Sequence, residues 1–335
     1  MSKTIAVIGA GGWGIALAKL LADKGEQVTL WCHGEDSFQE LQRKRESSAY
    51  LPGIILPQSV RITRSSADAV AGKFLIICAV PSHAMRQVMA EAASHALLES
   101  RIVCAAKGLE EDSLKVMGEV LSDIFGAART SRHAFLSGPT FALEVARGLP
   151  AAVTVAAYSE EIAAEVQDTL STPNFRVYTS RDIIGVQMGG VVKNVIAIAA
   201  GISDGLGLGQ NARAALITRG LAEMTRLAVR MGADPLTLAG LPGLGDMILT
   251  CAGDLSRNRR VGLAIATGQS LQEIAAGTKT VAEGIRNTRS VFLLSRRLGV
   301  EMPIVEQMFH VLYEGKKASE AVRDLLLRSL KAENR

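Results

Sequence analysis

The 335-residue sequence predicts an α/β domain with a parallel β-sheet, followed by an all-helical domain. In the first half, short apolar segments rich in β-branched residues alternate with segments of helical periodicity. Such alternation is typical of a parallel sheet that helices cover on both faces. Beyond residue 181 no convincing strand pattern remains, and helical patterns dominate. We therefore expect an α/β domain over residues 1–185 and a helical domain over residues 186–335.

The individual elements follow from the apolar spacing of each segment. The run 74–80 is continuously apolar, as expected for a strand that is buried on both faces. In the first half we predict strands at 4–8, 27–31, 74–80, 101–105, 133–136, 151–156 and 175–178, and helices at 15–24, 83–97, 114–125 and 160–170. In the second half we predict helices at 183–200, 212–231, 259–267, 281–298, 303–313 and 318–330.

Composition excludes several classes of protein. The chain is 48% hydrophobic and 21% charged, an ordinary globular balance that excludes disordered and collagen-like proteins. The net charge is +4 without a block of like charges, so we expect no nucleic-acid partner. The longest apolar runs fall far short of the roughly 20 residues of a membrane span, and the N-terminus does not read as a signal peptide. We expect a soluble, cytoplasmic protein without membrane insertion.

The cysteines have neither zinc-like nor C-x-x-C spacing. Reduced, buried thiols of a cytosolic protein are the expected state, and we predict no metal site. These cysteines are Cys32, Cys78, Cys104 and Cys251.

A glycine-rich turn joins the first strand to the first helix. Gly9, Gly11 and Gly14 fit the pattern G-x-G-x-x-G. The first glycine permits the tight turn, the second permits close approach of a pyrophosphate, and the third permits close helix–strand packing. The helix N-terminus then faces the phosphates. The motif predicts a Rossmann-type domain that binds NAD(P).

The second strand leaves the choice of cofactor open. An acid at its tip usually binds the ribose of NAD, but this strand ends in Leu-Trp-Cys-His, and Glu35 and Asp36 come slightly late. His33, with the basic residues 43–45 further on, is suited to a 2′-phosphate instead. His33 is equally consistent with an ordinary exposed loop histidine. NADPH is therefore plausible, and NADH is not excluded.

Two lysines and two polar segments suggest a catalytic site. Lys107 follows a predicted strand, and Lys193 interrupts a strongly apolar helix, where burying a lysine costs free energy without a partner. The alternative for Lys193 is a side chain that extends to the surface. Segment 137–142 joins a strand to a helix, with Thr140 expected as its N-cap. Segment 256–260, after Asp246, carries a dense set of donors for a phosphate.

At these residues the sequence resembles the bacterial NAD(P)-dependent sn-glycerol-3-phosphate dehydrogenases. The resemblance covers nearly the whole chain, and several long blocks in order are far more specific than one motif. The matching blocks are VIGAGGWG at 7–14, LWCH at 30–33, VPSH at 80–83, AKGLE at 106–110, SGPTFA at 137–142, GVQMGGVVKNVIAIAAGISDG at 185–205, NARAALITRGLAEM at 211–224, GLGDMILTC at 243–251, SRNRRVG at 256–262 and VAEG at 281–284.

The resemblance implies reversible hydride transfer between NAD(P)H and dihydroxyacetone phosphate, giving sn-glycerol 3-phosphate for glycerophospholipid synthesis. It also implies a C-terminal domain like that of 6-phosphogluconate dehydrogenase, and Lys193 as proton donor and acceptor. The implied substrate contacts are Lys107, Gly138, Thr140, Lys193, Asp246, Ser256, Arg257 and Asn258. With the glycine motif, the cofactor contacts are Gly9, Gly11, Gly12, Trp13, Gly14, His33, Lys107, Ala142, Arg257, Val281 and Glu283.

Reducing a ketone places negative charge on its oxygen, so a positioned acid must deliver a proton. We expect Lys107 to lower the pKa of Lys193 toward working pH, Asp246 to orient the Lys193 ammonium, and Arg257 with Asn258 to hold the phosphate. The alternatives are another two-domain dehydrogenase, acting on a hydroxy acid or sugar acid, and a non-catalytic NADPH-binding regulator. Apolar helices in the second half suggest a homodimer, and the glycines of segment 201–209 suggest a mobile connection near the cleft.

Overall fold

The computed structural model describes residues 2–276, 282–330 and 332–333. Residues 4–180 contain one eight-stranded sheet with the strand order β3-β2-β1-β4-β5-β6-β7-β8. Its strands are β1 (Thr4–Ile8), β2 (Gln27–Trp31), β3 (Arg61–Thr63), β4 (Leu75–Cys78), β5 (Arg101–Cys104), β6 (His133–Ser137), β7 (Ala151–Ala157) and β8 (Phe175–Ser180).

Seven α-helices accompany the sheet, and nine form the second half of the described chain. The first group is α1 (Gly12–Asp23), α2 (Glu35–Lys44), α3 (Ser66–Val70), α4 (Met85–Ala93), α5 (Met117–Phe125), α6 (Ala142–Ala146) and α7 (Glu160–Leu170). The second group is α8 (Ile183–Gly205), α9 (Gly209–Arg230), α10 (Pro235–Ala239), α11 (Asp246–Ala252), α12 (Arg257–Ala266), α13 (Leu271–Ala276), α14 (Glu283–Leu298), α15 (Pro303–Tyr313) and α16 (Ala318–Leu326). Helical turns of 3₁₀ type lie at Ser82–Ala84 and Ala127–Arg132, and a π-type turn lies at Leu241–Gly245.

The sheet departs from the expected all-parallel arrangement at one junction. Strands β6 and β7 pair antiparallel, with Phe135 opposite Ala156, whereas the other neighbouring strands pair in parallel. The connection between β6 and β7 contains only the five-residue helix α6, and the chain reverses here instead of crossing over the sheet. Strand β8 then pairs parallel to β7 after the longer connection that contains α7.

The predicted elements differ from the observed ones mainly where the chain is short or polar. The sequence patterns missed α2, which is largely polar, and five short elements of seven residues or fewer, namely β3, α3, α10, α11 and α13. Three predicted helices are too long: α4 ends at Ala93, α5 begins at Met117 and α16 ends at Leu326. Val281, the predicted start of another helix, lies outside the described residues, and α14 begins at Glu283.

Helix α8 is the centre of the helical half. It is 23 residues long, and its apolar side chains belong to the core that α9, α11, α12, α14 and α15 complete. By length and composition it could cross a membrane, contrary to the expectation from the short apolar runs, but 94% of its most apolar 18-residue stretch is buried inside the protein. The change from strands to helices falls between Ser180 and Ile183.

Glycines let α8 and α12 pack backbone to backbone. A Cβ added to Gly201 would lie 2.0 Å from the Arg259 carbonyl oxygen, and one added to Gly262 would lie 2.1 Å from the Ile198 carbonyl oxygen. Gly201 is therefore a packing residue within the buried part of α8, and Gly205 is the exposed last residue of that helix, where a Cβ would lie 2.5 Å from Ala266 Cβ. The expectation of a mobile connection over 201–209 is wrong for these two residues, because both belong to α8. Gly207, with a φ of +70°, lies in the turn between α8 and α9. This packing fixes the start of α12 next to the middle of α8.

Candidate active site

The glycine-rich turn forms an open cradle at the carboxyl end of β1. Gly9 has a φ of +119°, and a Cβ on Gly14 would lie 1.8 Å from the Gly9 carbonyl oxygen. A Cβ on Gly11 would meet no atom within 4 Å, so that position borders free space. Helix α1 begins at Gly12 without a side-chain cap, which leaves its first N–H groups available to an anion. The residues present therefore fit a dinucleotide pyrophosphate.

The structure places Trp13 and Ala142 beside this cradle. Trp13 is partly buried in the second position of α1. Ala142 is the first residue of α6, and its Cβ would lie 3.8 Å from a Cβ added to Gly12. Helices α1 and α6 therefore meet at the glycine-rich turn. His33 is exposed beyond the tip of β2.

The basic residues that follow His33 lie elsewhere. Arg43 and Lys44 occupy the last turn of α2, at the far end of the helix from His33. Arg45 donates from Nη2 to the carbonyl oxygens of Pro57, at 2.5 Å, and Val60, at 2.6 Å. The expectation that residues 43–45 support His33 at the strand tip is therefore wrong, because α2 carries them away from it.

A buried chain of three charges joins the two halves of the molecule. Lys107, just after β5, donates from Nζ to Asp246 Oδ2 at 2.6 Å and to the Gly138 carbonyl oxygen at 3.1 Å. Lys193, in the middle of α8, donates to Asp246 Oδ1 at 2.9 Å and to Thr250 Oγ1 at 2.8 Å. The Asp246 side chain is 2% exposed and that of Lys193 is 9% exposed. An ammonium has three N–H groups, so Lys193 retains one for another oxygen.

Burial, opposed by Asp246, sets the acidity of Lys193. Desolvation lowers the pKa of Lys193 to about 8, while Asp246 partly restores it and Lys107 lowers it further. The expectation that Lys107 lowers the pKa of Lys193 is confirmed, and removal from water has the larger effect. Burial favours the protonated form of Asp246, but Lys107 and Lys193 outweigh it and keep the pKa of Asp246 below its usual range.

The segment after β6 brings backbone groups to this site. Gly138 has a φ of +148°, and a Cβ there would lie 2.9 Å from Val153 Cα. Thr140 donates from Oγ1 to the Gly138 carbonyl oxygen at 3.2 Å. The expectation that Thr140 caps a helix is wrong: α6 begins at Ala142, and its N-cap is Phe141 without a side-chain cap.

The start of α12 presents two exposed arginines, Arg257 and Arg260, for which the described residues provide no ion pair. Arg257 is exposed, whereas Arg259 binds Asp204 and Asp254. Ser256 is the N-cap of α12 and accepts a hydrogen bond from the Arg259 backbone N–H at 3.2 Å. Asn258 is buried, and its amide donates to Asn194 Oδ1 at 2.8 Å. The geometry leaves Arg257 available to an anion at the edge of the site.

Glu283, at the start of α14, closes the site from the other side. It accepts a hydrogen bond from the Ser82 backbone N–H at 3.3 Å. Burial raises the pKa of Glu283, and the charges of Arg257, Lys193 and Lys107 oppose that rise. The three cations therefore lie within electrostatic range of one carboxyl group. Val281, another expected cofactor contact, lies outside the described residues.

Comparison with known proteins assigns the family. A family model described as "NAD-dependent glycerol-3-phosphate dehydrogenase N-terminus" matches residues 4–163, and one described as "NAD-dependent glycerol-3-phosphate dehydrogenase C-terminus" matches residues 182–323. The chain belongs to the NAD-dependent glycerol-3-phosphate dehydrogenase family.

Individual relatives agree with this assignment along the whole length. The chain is 52% identical to a glycerol-3-phosphate dehydrogenase [NAD(P)+] of Citrifermentans bemidjiense, over 99% of each chain. It is 54% identical to the protein of that name from Anaeromyxobacter dehalogenans, over 98% of each. A crystal structure of glycerol-3-phosphate dehydrogenase from Coxiella burnetii superposes with a TM-score of 0.93, at 40% identity, covering 98% of this chain and 99% of the other. The Rossmann-type sheet with a helical second half is thus the fold of this dehydrogenase family.

Three residues that were not predicted as substrate or cofactor contacts help to position the two lysines of the candidate site. Asn194 and Asn287 both donate to the Lys107 carbonyl oxygen, at 3.3 Å and 3.0 Å, and thereby fix the backbone that carries Lys107. Thr250 accepts from Lys193. Helical spacing could have identified two of these residues. Thr250 follows Asp246 by four residues, and Asn287 follows Glu283 by four residues, so each lies on the same helix face as a predicted site residue. Among the described residues, no cluster suited to a metal ion occurs.

Proposed function

We propose that this protein catalyses the reversible reduction of dihydroxyacetone phosphate to sn-glycerol 3-phosphate with NADPH or NADH. The observation that carries the proposal is the buried Lys107–Asp246–Lys193 chain, which joins the nucleotide-binding half to the helical half. The names of the relatives, glycerol-3-phosphate dehydrogenase [NAD(P)+], support the substrate and the cofactor.

The cofactor, when bound, supplies the hydride. Residues of the first half would hold it through the glycine turn and the tip of β2, and residues of the second half would cover it. The proposed contacts are Gly9, Gly11, Gly12, Trp13, Gly14, His33, Lys107, Ala142, Arg257, Val281 and Glu283.

Lys193 is the proposed proton donor in the reductive direction. Its remaining N–H group can bind the ketone oxygen, where negative charge develops as the carbonyl is reduced. A pKa of about 8 leaves most of the side chain protonated near neutral pH, yet makes the proton easier to transfer than that of an ordinary lysine. Asp246 and Thr250 hold the ammonium in position, so its direction is fixed before the substrate binds.

The phosphate group provides binding energy away from the reacting carbon. Arg257 is exposed and its guanidinium matches the geometry of a phosphate. Ser256 and Asn258, on either side of it, are engaged in hydrogen bonds within the protein, whereas the Arg257 side chain forms no ion pair with a described residue. Binding there would align the ketone with Lys193. The proposed substrate contacts are Lys107, Gly138, Thr140, Lys193, Asp246, Ser256, Arg257 and Asn258.

The direct test is Lys193→Ala, assayed by NADPH oxidation with dihydroxyacetone phosphate. We expect kcat to fall by about 10³-fold, in the upper part of the range for loss of a general acid and of charge stabilisation, while the affinity for NADPH stays within about threefold. Lys73→Ala is the matched control, because Lys73 is a partly buried lysine that binds Thr29 Oγ1 at 2.8 Å, on another part of the sheet. A wild-type protein inactive with this substrate, or a Lys193→Ala variant that keeps most of kcat, would refute the proposal.

We further propose that the protein is a cytoplasmic homodimer that supplies glycerophospholipid synthesis, with domains divided at residues 185 and 186. The match to the N-terminal family model ends at residue 163, and the match to the C-terminal family model begins at residue 182, which supports a boundary near this region. The exposed leucines Leu326 and Leu327, 79% and 75% exposed, support a covered surface at α16. A molar mass of about twice 35.5 kDa by light scattering is expected, and a mass of one chain would contradict the dimer.

A further inference from the structure

The tip of β2 borders the place where a Rossmann-type domain holds the adenosine ribose. The Gly9 backbone N–H donates to the Trp31 carbonyl oxygen at 3.2 Å, so the glycine turn touches the last residue of β2. The usual carboxylate that would bind the ribose hydroxyls is missing from this tip. His33 is exposed here, and a Cβ added to Gly34 would meet nothing closer than Ser37 Oγ at 3.8 Å. The tip therefore leaves room for a group larger than a hydroxyl.

An arginine from the neighbouring strand reaches this tip. Strand β3 pairs in parallel with β2, with Thr63 opposite Trp31, so Arg64 follows at the same edge of the sheet. Two hydrogen bonds fix the backbone there: the Cys32 N–H donates to the Thr63 carbonyl oxygen at 2.9 Å, and Trp31 Nε1 donates to the Arg64 carbonyl oxygen at 2.9 Å. The Arg64 guanidinium is half exposed. A fixed backbone with a half-exposed guanidinium is well suited to bind an anion.

The Arg64 guanidinium forms an ion pair with Glu35, the first residue of α2. Both side chains are about half exposed, at 48% and 52%, so the pair is accessible to a ligand and contributes little to stability. Glu35 holds Arg64 over the tip of β2. A phosphate that binds Arg64 must compete with this carboxylate, whereas a ribose hydroxyl can donate a hydrogen bond to it.

We propose that Arg64 is the residue that binds the 2′-phosphate of NADPH, with Glu35 as the competing carboxylate that also permits the use of NADH. The inference rests on the proposed function, because it assigns a specificity residue to its cofactor site. Arginine from β3 thus takes the place of the basic residues 43–45, which α2 carries away. The protein should prefer NADPH, and the ratio of the two activities should depend on residues 64 and 35.

The test measures binding of adenosine 2′,5′-bisphosphate and of AMP by calorimetry, together with kcat/KM for NADPH and for NADH. We expect the wild-type protein to bind the bisphosphate about tenfold or more tightly than AMP, and Arg64→Ala to remove most of this difference. Glu35→Gln should increase the difference severalfold, because it removes the competing charge. The kcat/KM ratio of NADPH to NADH should change in the same directions.

The matched control is Arg61→Ala. Arg61 lies at the opposite end of the same short strand, is exposed, and approaches Asp68 at 3.8 Å, so its loss changes the net charge equally without touching the strand tip. Equal losses in the two variants, or an unchanged preference in Arg64→Ala, would overturn the proposal. The bisphosphate titration requires no turnover. Inactivity with dihydroxyacetone phosphate therefore refutes the proposed reaction, and leaves the assignment of Arg64 to be decided by binding.

Discussion

Asp246→Asn removes the carboxylate that holds both lysines of the site and changes few other contacts. In the wild-type protein, burial lowers the pKa of Lys193 to about 8 against the opposing effect of Asp246. An opposite charge in contact typically shifts a pKa by about 1–3 units, so the pKa of Lys193 in the variant would fall to about 6. The fraction of protonated Lys193 at pH 7 would then fall about tenfold. The amide keeps only one acceptor oxygen for the two lysines and turns an NH2 group toward the other, which adds a further factor of about ten through misalignment.

The expected result is a loss of about 10²- to 10³-fold in the reduction of dihydroxyacetone phosphate at pH 7, with the descending limb of the pH profile moved to lower pH. Initial rates between pH 5.5 and 9.5 would measure both the loss of rate at pH 7 and the shift of the descending limb. The variant leaves the part-buried Lys107 ammonium without its counter-charge and favours neutral Lys193, so stability falls. Thermal unfolding must therefore show that it is folded at the assay temperature.

Two other variants separate the effect of Asp246 on Lys193 from a general loss of stability. Thr250→Val removes the second acceptor of Lys193 without changing charge, and should lower the rate about tenfold. Asp204→Asn is the control, because Asp204 also binds two cations, Arg213 and Arg259, but lies away from Lys193. It should lose stability and keep its pH profile. A rate within threefold of wild type in folded Asp246→Asn, with an unmoved limb, would refute the role of Asp246.

Three further outcomes follow from the same contacts. Arg257→Ala should raise KM for dihydroxyacetone phosphate about 10- to 100-fold and leave unphosphorylated dihydroxyacetone unaffected; equal effects on both would exclude a phosphate contact. Asn287→Ala should lower kcat about tenfold, because it frees the Lys107 backbone, whereas Thr288→Val, which loses a bond within its own helix, should reduce only thermal stability. Burial raises the pKa of Glu223 from 4.5 to about 7, so stability should fall by about 3 kcal/mol as pH rises through that window; urea unfolding of Glu223→Gln should lack this slope.

The sequence predicts those elements well whose side chains are buried and apolar. Strands β1 and β2 and helices α7 and α15 have the expected bounds, because each combines a clear period with a clear stop signal. The region between β2 and β4 was missed. Helix α2 is polar over most of its surface, and β3 has three residues, so neither offers enough apolar periodicity for recognition. Arg64, the residue that follows β3, was missed with it.

The site shows the same division between local and tertiary signals. The glycine turn is local, and its spacing alone indicates a phosphate cradle. Lys193 was recognised because a lysine in an apolar helix is unusual. The expected contact with Asp246 is confirmed. The second partner, Thr250, was missed, since it lies 57 positions away and only the packing of α11 on α8 brings it to Lys193. The N-cap predicted at Thr140 is wrong because α6 begins at Ala142, which makes Phe141 the N-cap residue.

The role of Lys193 as both acid and base is tested most directly by the pH dependence of the wild-type enzyme in the two directions. Reduction of dihydroxyacetone phosphate requires protonated Lys193, so its rate should fall as pH rises through about 8. Oxidation of sn-glycerol 3-phosphate requires the neutral amine, so its rate should rise through the same pH. Single-turnover measurements of the NADPH absorbance would isolate the chemical step. We expect the rate of reduction to fall and the rate of oxidation to rise with one common midpoint near pH 8, and both pH dependences to be absent in Lys193→Ala. A pH dependence that persists in Lys193→Ala would contradict this role of Lys193.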